Sequence, residues 1–279
     1  MKKFLNRFLA NRGAAAGTFL LLIVIAVGAS ASVLYEESPW MMVAQPLIKP
    51  FTDPAYILGT DMLGRDIAAG LAYGARVSLM IGVISTLVAV FVGILVGALA
   101  GYYGKWVDDA LMRATEFFQT VPQLAMAMVL VAIFKPSLYS IVGAIAMVSW
   151  PPVARLVRAE FMTLKTREFV QAAVVIGQRP SRIILSQILP NTASPIIVTA
   201  SLMTATAILT ESALSFLGLG DRNLMSWGYM IGAARTMLRE SQWMSLWPGL
   251  AIMLTVLAIN LIGEGLNDAL NPQLRKRGA

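Results

Sequence analysis

The sequence predicts an all-α, polytopic membrane protein of about six transmembrane helices. Three observations predict it. The 279 residues are 57% hydrophobic and 13% charged, about half the charge of an ordinary soluble domain, and the mean hydropathy is +0.71. The charges are gathered into short stretches between apolar runs of about 18 to 28 residues, the length at which a helix crosses about 30 Å of hydrocarbon. The basic residues also sort to one side of that alternation, as expected of a multi-pass protein. The chain has no Cys and no His. Disulfides, thiol nucleophiles, imidazole bases and the usual zinc clusters are thereby excluded, and neither metal nor cofactor is expected. A net charge of +7 would suggest nucleic acid in a soluble protein; here it is read as a topology signal, and no nucleic-acid partner is expected.

Residues 1–35 are an N-terminal segment and first span. MKKFLNRFLANR is basic and mildly amphipathic, and residues 13–35 carry no charge. Ala29-Ser30-Ala31 also fits a signal-peptidase site; the later spans keep the protein in the membrane on either reading. Residues 36–74 are an extramembrane loop, rich in Pro (Pro39, Pro46, Pro50, Pro54) and opened by Glu36 and Glu37. GTDMLGRD (59–66) is a turn, and IAAGLAYGARVSL after it is either a short interfacial helix or the capped start of the second span.

Residues 75–266 form a core of five helices. The second span, 77–104, carries Gly93, Gly97 and Gly101 at intervals of four, which permits close helix approach. Residues 105–116 are a polar helical connector in which Asp109 and Arg113 are spaced to pair. The third span, 117–134, has Pro122 in its first turns, where a kink is expected. The fourth, 137–154, ends at Trp150-Pro151-Pro152, with the indole at the headgroup level. The fifth begins near Asn191 or later, divided from the loop before it by Pro190 and Pro195. About 18 residues of helix put Glu211 roughly 27 Å from that start, at the far interface. A structural or gate-lining role is therefore expected of it ahead of an ion or proton site. Residues 215–247, with Gly218, Gly220, Gly228, Trp227, Trp243 and Trp247, read as a loop along that interface. Trp247-Pro248-Gly249 opens the sixth span, which runs to about Gly263, and 267–279 is a short basic tail. Six spans place both termini on one side with about 15 of the 22 basic residues, which makes that side cytoplasmic.

The basic interruption (155–191) between the fourth and fifth spans is the candidate functional element. Thr166 is an acceptable N-cap, and Glu168 puts a carboxylate in the first turn of a helix. Phe169, Ala172, Ala173 and Ile176 follow on one face at helical spacing, with Gln171 elsewhere on the wheel. Gly177 stands where a left-handed C-cap is wanted. Pro180 restarts the chain, and Ile183, Ile184, Gln187 and Ile188 build a second short helix that Pro190 stops. The result is a helix–Gly–helix whose small apolar face either packs on its own bundle or enters a groove on a partner.

Gln171-Ala172-Ala173, three residues, Gly177, then Leu189-Pro190 resembles the cytoplasmic EAA loop of bacterial ABC-importer permeases, with Gln171 where the general pattern has Glu. GTDMLGRD (59–66), YGARVSL (73–79), GYYG (101–104), ILTESALSFLGLG (208–220) and SLWPGLAIMLTVLAINLIGEGLNDALNP (245–272) extend the likeness in order. Together they resemble the C-type permease subunit of the dipeptide/oligopeptide/nickel group over about three-quarters of the chain. Val174 stands where that group often has Arg, and Gln178-Arg179-Pro180 where an Ala/Ser-Asp turn is usual. The resemblance implies a type I importer half-channel in the bacterial inner membrane. It would pair with a homologous permease, two cytosolic ATPases and an extracytoplasmic binding protein that meets the periplasmic loops. Glu168, Phe169, Gln171, Ala172, Ala173, Ile176, Gly177, Leu189 and Pro190 would couple it to an ATPase. Glu211, Gly218 and Gly220 are placed at a gate or outer interface. On this reading a bulky charge at Ala173 blocks ATPase binding. The chain has no GxxxxGK[ST] phosphate loop and so is not itself the ATPase.

The rival classes are an ATP-independent secondary transporter or channel, which wants polar groups at the midplane, and a membrane-embedded enzyme, which wants catalytic groups in the spans; the spans are nearly charge-free. Peptides are the expected cargo. Nickel or metallophore complexes, glutathione, opines and some oligosaccharides are served by similar chains. Sixteen methionines are no metal signal, since they are scattered through apolar spans where Met fills gaps.

Overall fold

The computed structural model describes residues 8–270. The stretch 1–7 and the tail 271–279, with Lys2, Lys3, Arg7, Arg275, Lys276 and Arg277, lie outside the described residues. Nine helical elements carry the described chain: α1 (Arg12–Leu34), α2 (Ile67–Tyr103), α3 (Lys105–Thr120), α4 (Gln123–Phe134), α5 (Leu138–Lys165), α6 (Glu168–Val175), α7 (Pro180–Leu219), α8 (Trp227–Ala234) and α9 (Trp243–Leu270). Five of them, α1, α2, α5, α7 and α9, are long and apolar enough to cross a membrane, and α3 with α4 makes a sixth if a pair bent by 86° counts as one span. The bend falls at Val121-Pro122, where the missing proline amide removes a helical hydrogen bond.

α1 and α2 run antiparallel, joined where the Arg76 guanidinium donates to the Gly28 and Ala29 carbonyls. α9 returns along α1, so that Asn11 Nδ2 donates to Asp268 Oδ2 at 2.9 Å. Both ends of the described chain thus lie at the end of the bundle that also carries the loop between α5 and α7. Between α1 and α2, residues 35–66 fold back over the opposite end, with Trp40 edge-on to Tyr229 (5.1 Å) and under the Arg65 guanidinium.

Several elements are longer than their composition predicts. α2 begins at Ile67 with Asp66 as N-cap, its carboxylate accepting from the Ala68 amide at 2.8 Å. The segment before the second span is therefore a capped helix start and not a separate interfacial helix. α5 passes through Pro151-Pro152 and ends only at Lys165. Prolines in a buried span are tolerated because neighbouring helices hold the freed carbonyls in place. Trp150 is consequently interior, packed edge-on against Phe118 at 5.4 Å, and not at a headgroup surface. α7 likewise does not start near Asn191. Residues Ile183–Ile188 form a wide π-type turn in which the Leu189 amide reaches back to the Ile184 carbonyl, and Leu189–Thr192 tighten into a 3₁₀ turn. Widening and then tightening the helix lets Pro190, which has no amide to place, continue the axis instead of stopping it. The stretch 215–247 contains α8, whose Trp227 is buried with its indole N–H on the Leu71 carbonyl at 3.0 Å. It is a packed hairpin and not a chain along an interface.

The pattern at Gly93, Gly97 and Gly101 is used for packing. This face of α2 lies on α5: a Cβ on Gly93 would stand 2.5 Å from Val153 Cβ, and one on Gly101 2.6 Å from Phe161 Cβ. Lipid tails are as apolar as the helices, so dispersion at short range, and not escape from water, holds two spans together. Gly93→Leu should therefore lower the denaturation midpoint in detergent by the equivalent of about 2 kcal/mol or more, the scale of core overpacking. Gly143→Ala, on α5 with open space at its Cβ position, should be neutral or slightly stabilising.

Candidate functional site

At the end of the bundle shared by both termini, α5 gives way to a two-residue turn and the eight-residue α6. Thr166 is still in the last turn of α5, its hydroxyl on the Thr163 carbonyl at 2.9 Å. The N-cap of α6 is instead Arg167, the first residue whose backbone is extended (φ −73°, ψ 146°). Thr166 as N-cap is thus corrected by one residue. α6 closes as the sequence predicts. Gly177 has φ +75°, its amide donates to Val174 O at 3.0 Å, and Gln178 N donates to Ala173 O at 3.1 Å. This paired arrangement satisfies two orphan carbonyls and requires the left-handed backbone that glycine adopts without Cβ strain.

The face of α6 is divided differently from its periodicity. Val170 (0% exposed) and Ala173 face the body, in one apolar cluster with Val157, Phe161, Ile183 and Ile188. Phe169, Ala172 and Ile176 (73% exposed) point away, together with Val174 and Val175 (84% exposed), as do Glu168 and Gln171. Ala173 is therefore a seat for α6 and not part of its outward surface, so a bulky charge there would unseat the helix before it met any partner. Val170 is the residue that the sequence reading missed. Its signal was the interval of three between two small apolar residues, hidden because apolar side chains occupy both sides of the helix.

Gln171 Nε2 donates to the Lys165 carbonyl at 2.8 Å, tying α6 back to the last turn of α5. A glutamate there has no proton to donate at neutral pH. Leu189 and Pro190 lie at the junction of the loop with α7, Leu189 half-buried and Pro190 exposed, and they shape the π-to-3₁₀ transition instead of lining the outward face. The predicted Asp109–Arg113 pair is absent among the described ion pairs. Its neighbour Asp108 is engaged by Arg158, with Nη2 on Oδ2 at 2.6 Å and Nε on Oδ1 at 2.5 Å.

At the opposite end Glu211 is 1% exposed. Its Oε1 accepts from Ser215 Oγ at 2.8 Å and Ser226 Oγ at 2.7 Å. Ser226 is the N-cap of α8 and accepts from the Tyr229 amide, so the carboxylate sits where a helix N-terminus favours negative charge. Gly220 and Gly228 leave no room for a Cβ against Ser215 and Ser212, while Gly218 turns at φ +87° in open space. Glu211 thus clasps the hairpin carrying α8 to the end of α7. Composition placed it at that end, but its serine partners lie 4 and 15 residues away and carry no local signature.

The family model described as the inner membrane component of binding-protein-dependent transport systems matches residues 93–276. The chain is 39% identical over 259 residues to a dipeptide transport system permease protein of Alkalihalophilus pseudofirmus, covering 92% of this chain and 83% of that one. It is also 39% identical over 275 residues to an oligopeptide transport system permease protein of Escherichia coli, covering 97% and 90%. Among solved structures, a chain of the MetNI methionine ABC transporter in inward-facing conformations matches with TM-score 0.61, covering 72% of this chain and 96% of that chain at 15% identity. That last likeness is one of fold.

Gly177→Val should strain the left-handed turn by about 1–2 kcal/mol. The expected readout is faster amide hydrogen exchange over 168–178, with protection in α2 and α9 unchanged.

Proposed function

This chain belongs to the family of inner membrane components of binding-protein-dependent transport systems, as a permease of the peptide ABC-importer group, and from that premise we propose how it works and what it carries. It forms half of a translocation pathway for di- or oligopeptides, beside a homologous permease. Two cytosolic ATPases supply the energy, and an extracytoplasmic binding protein delivers cargo to the outer loops. Peptides are favoured because the relatives named above are dipeptide and oligopeptide permeases. Both termini face the cytosol, a reading supported by the basic residues gathered at the end of the bundle that carries α6.

One observation carries the coupling role. A short helix is seated on the bundle by Val170 and Ala173 while Phe169, Val175 and Ile176 are left in the open. Apolar side chains on a solvent-side helix cost hydration free energy unless a partner covers them, and a ridge of this size fits a groove on a partner. The tie from Gln171 and the closed turn at Gly177 make the ridge a rigid knob, so that displacement by an ATPase reaches α5 without being absorbed in the loop. Glu168, Phe169, Gln171, Ala172 and Ile176 form or brace the outward side. Ala173, Gly177, Leu189 and Pro190 hold it in shape. At the outer end, Glu211 with Gly218 and Gly220 sets the hairpin that borders the entrance for the binding protein's cargo, a gate-bracing role that its burial and its serine partners support.

Ile176→Arg should insert normally but fail to co-purify the ATPase subunits, with peptide uptake in whole cells falling about a hundredfold, since an unpaired charge enters an apolar groove. Normal uptake in that variant would sink the coupling role of α6.

A further inference from the structure

Arg158 and Lys165 stand seven residues apart on α5, two turns of helix, and therefore on one face. Each is committed to the junction between α2 and α3. The Lys165 ammonium donates to the Tyr102 carbonyl in the last turn of α2 and lies 5.4 Å from the Tyr102 ring centre. The Arg158 guanidinium grips Asp108, in the first turn of α3, through both carboxylate oxygens, and Asp108 is 9% exposed. A two-pronged guanidinium–carboxylate contact fixes orientation as well as distance.

Between these two anchors the backbone is made to turn. Gly104 has φ +64° and Lys105 has φ +50°, the second a conformation that side chains other than glycine and asparagine rarely adopt. A lysine held at positive φ is disfavoured, so other backbone states at this joint compete with the one observed. The Asp108 fork selects one, and it does so from α5, not from α2. The same α5 holds α6 through the Lys165 carbonyl, which accepts from Gln171. Beyond α3 the chain bends by 86° into α4, whose Ala127 and Val131 pack with Ile141 and Ile145 of α5 and Leu214 of α7.

We propose that Asp108 and Arg158 are a transmission clamp: positioning residues that make α3 move as one body with α5 when the coupling helix α6 is displaced. The inference rests on the coupling role of α6 given above. Without the fork, α5 still moves with α6 and keeps α4 and the far end of α3, where Phe118 meets Trp150, but the first turns of α3 swing at Gly104-Lys105 and lag behind. ATP hydrolysis then continues while transport is lost.

This chain has no cysteine, so introduced ones can be labelled selectively in a transporter whose partner subunits are made cysteine-free. Single cysteines at the exposed positions Ala114 on α3 and Met162 on α5 take spin labels in the whole transporter, assembled with its sister permease and ATPases in nanodiscs. Their separation should be the same without nucleotide and with ATP plus vanadate. Asp108→Asn should make it differ between those states or broaden it. In proteoliposomes the same variant should keep the ATPases bound and hydrolysing, while uptake of radiolabelled dialanine per ATP falls about tenfold, the size of a typical coupling loss. Asp108→Arg combined with Arg158→Asp should restore both readouts, which a general loss of packing would not allow. Should Asp108→Asn fail to insert, Arg158→Lys keeps the charge, loses the fork and takes its place. An unchanged distance in the single variant, or a native chain whose α3–α5 distance shifts with nucleotide, overturns the clamp, and the distance measurement decides even if dialanine is not carried. Ile176→Arg run in parallel separates the two ideas: if it leaves the ATPases bound, the coupling role of α6 has failed, whatever happens at Asp108.

Discussion

The close approach of α2 to α5 is the constraint on which the rest of the molecule depends. Inside a bilayer, burying a leucine against another helix gains little over leaving it in lipid, so association must come from backbone proximity and dispersion. Gly93 and Gly101 provide it, opposite Val153 and Phe161. The pairing fixes the long axis of α5, and α5 in turn holds three other pieces: α6 through the Lys165 carbonyl, α3 through Arg158, and α7 through the apolar cluster of Val157, Phe161, Ile183 and Ile188.

Continuity of helix through proline has a mechanical meaning in this setting. α5 carries Pro151 and Pro152 without breaking, and α7 carries Pro190 by widening at Ile183–Ile188 and tightening at Leu189–Thr192. Had either proline ended its helix, the polar loop would hang from flexible joints. As built, α6 sits between two helices that run to the opposite end of the bundle, so the loop is joined to Glu211 and the hairpin carrying α8 through continuous helix and not through slack chain. The glycine at 177 serves the same end, since its turn is closed by two hydrogen bonds.

Charged groups in this apolar chain are few and are spent on fastening. Arg76 holds α1 to α2 at carbonyls, Arg158 holds α3, and Glu211 holds α8 through its N-cap Ser226. Each joins residues far apart in sequence on different helices, and Glu211, which is 1% exposed, has its carboxylate paired as burial demands. None needs water at the midplane, which sets the arrangement apart from a secondary transporter that carries its own ion sites there.

The sequence alone determined the class of protein, the number of crossings to within the bent pair, the left-handed turn at Gly177 and the place of Glu211 near one end. Those properties follow from composition, run length and single-residue stereochemistry, which are local. The family was legible for a similar reason, because short motifs in a fixed order survive in the chain whatever their contacts. Only the tertiary structure decided where helices end at prolines, that Trp150 and Trp227 are interior, which side of α6 is seated, and that Asp108 pairs with Arg158 in place of Asp109 with Arg113. An apolar helix in an apolar protein shows no periodicity to reveal its buried face, and a partner 50 residues away leaves no mark on its neighbours. Such choices are made by packing between helices, and packing exists only once the chain has folded.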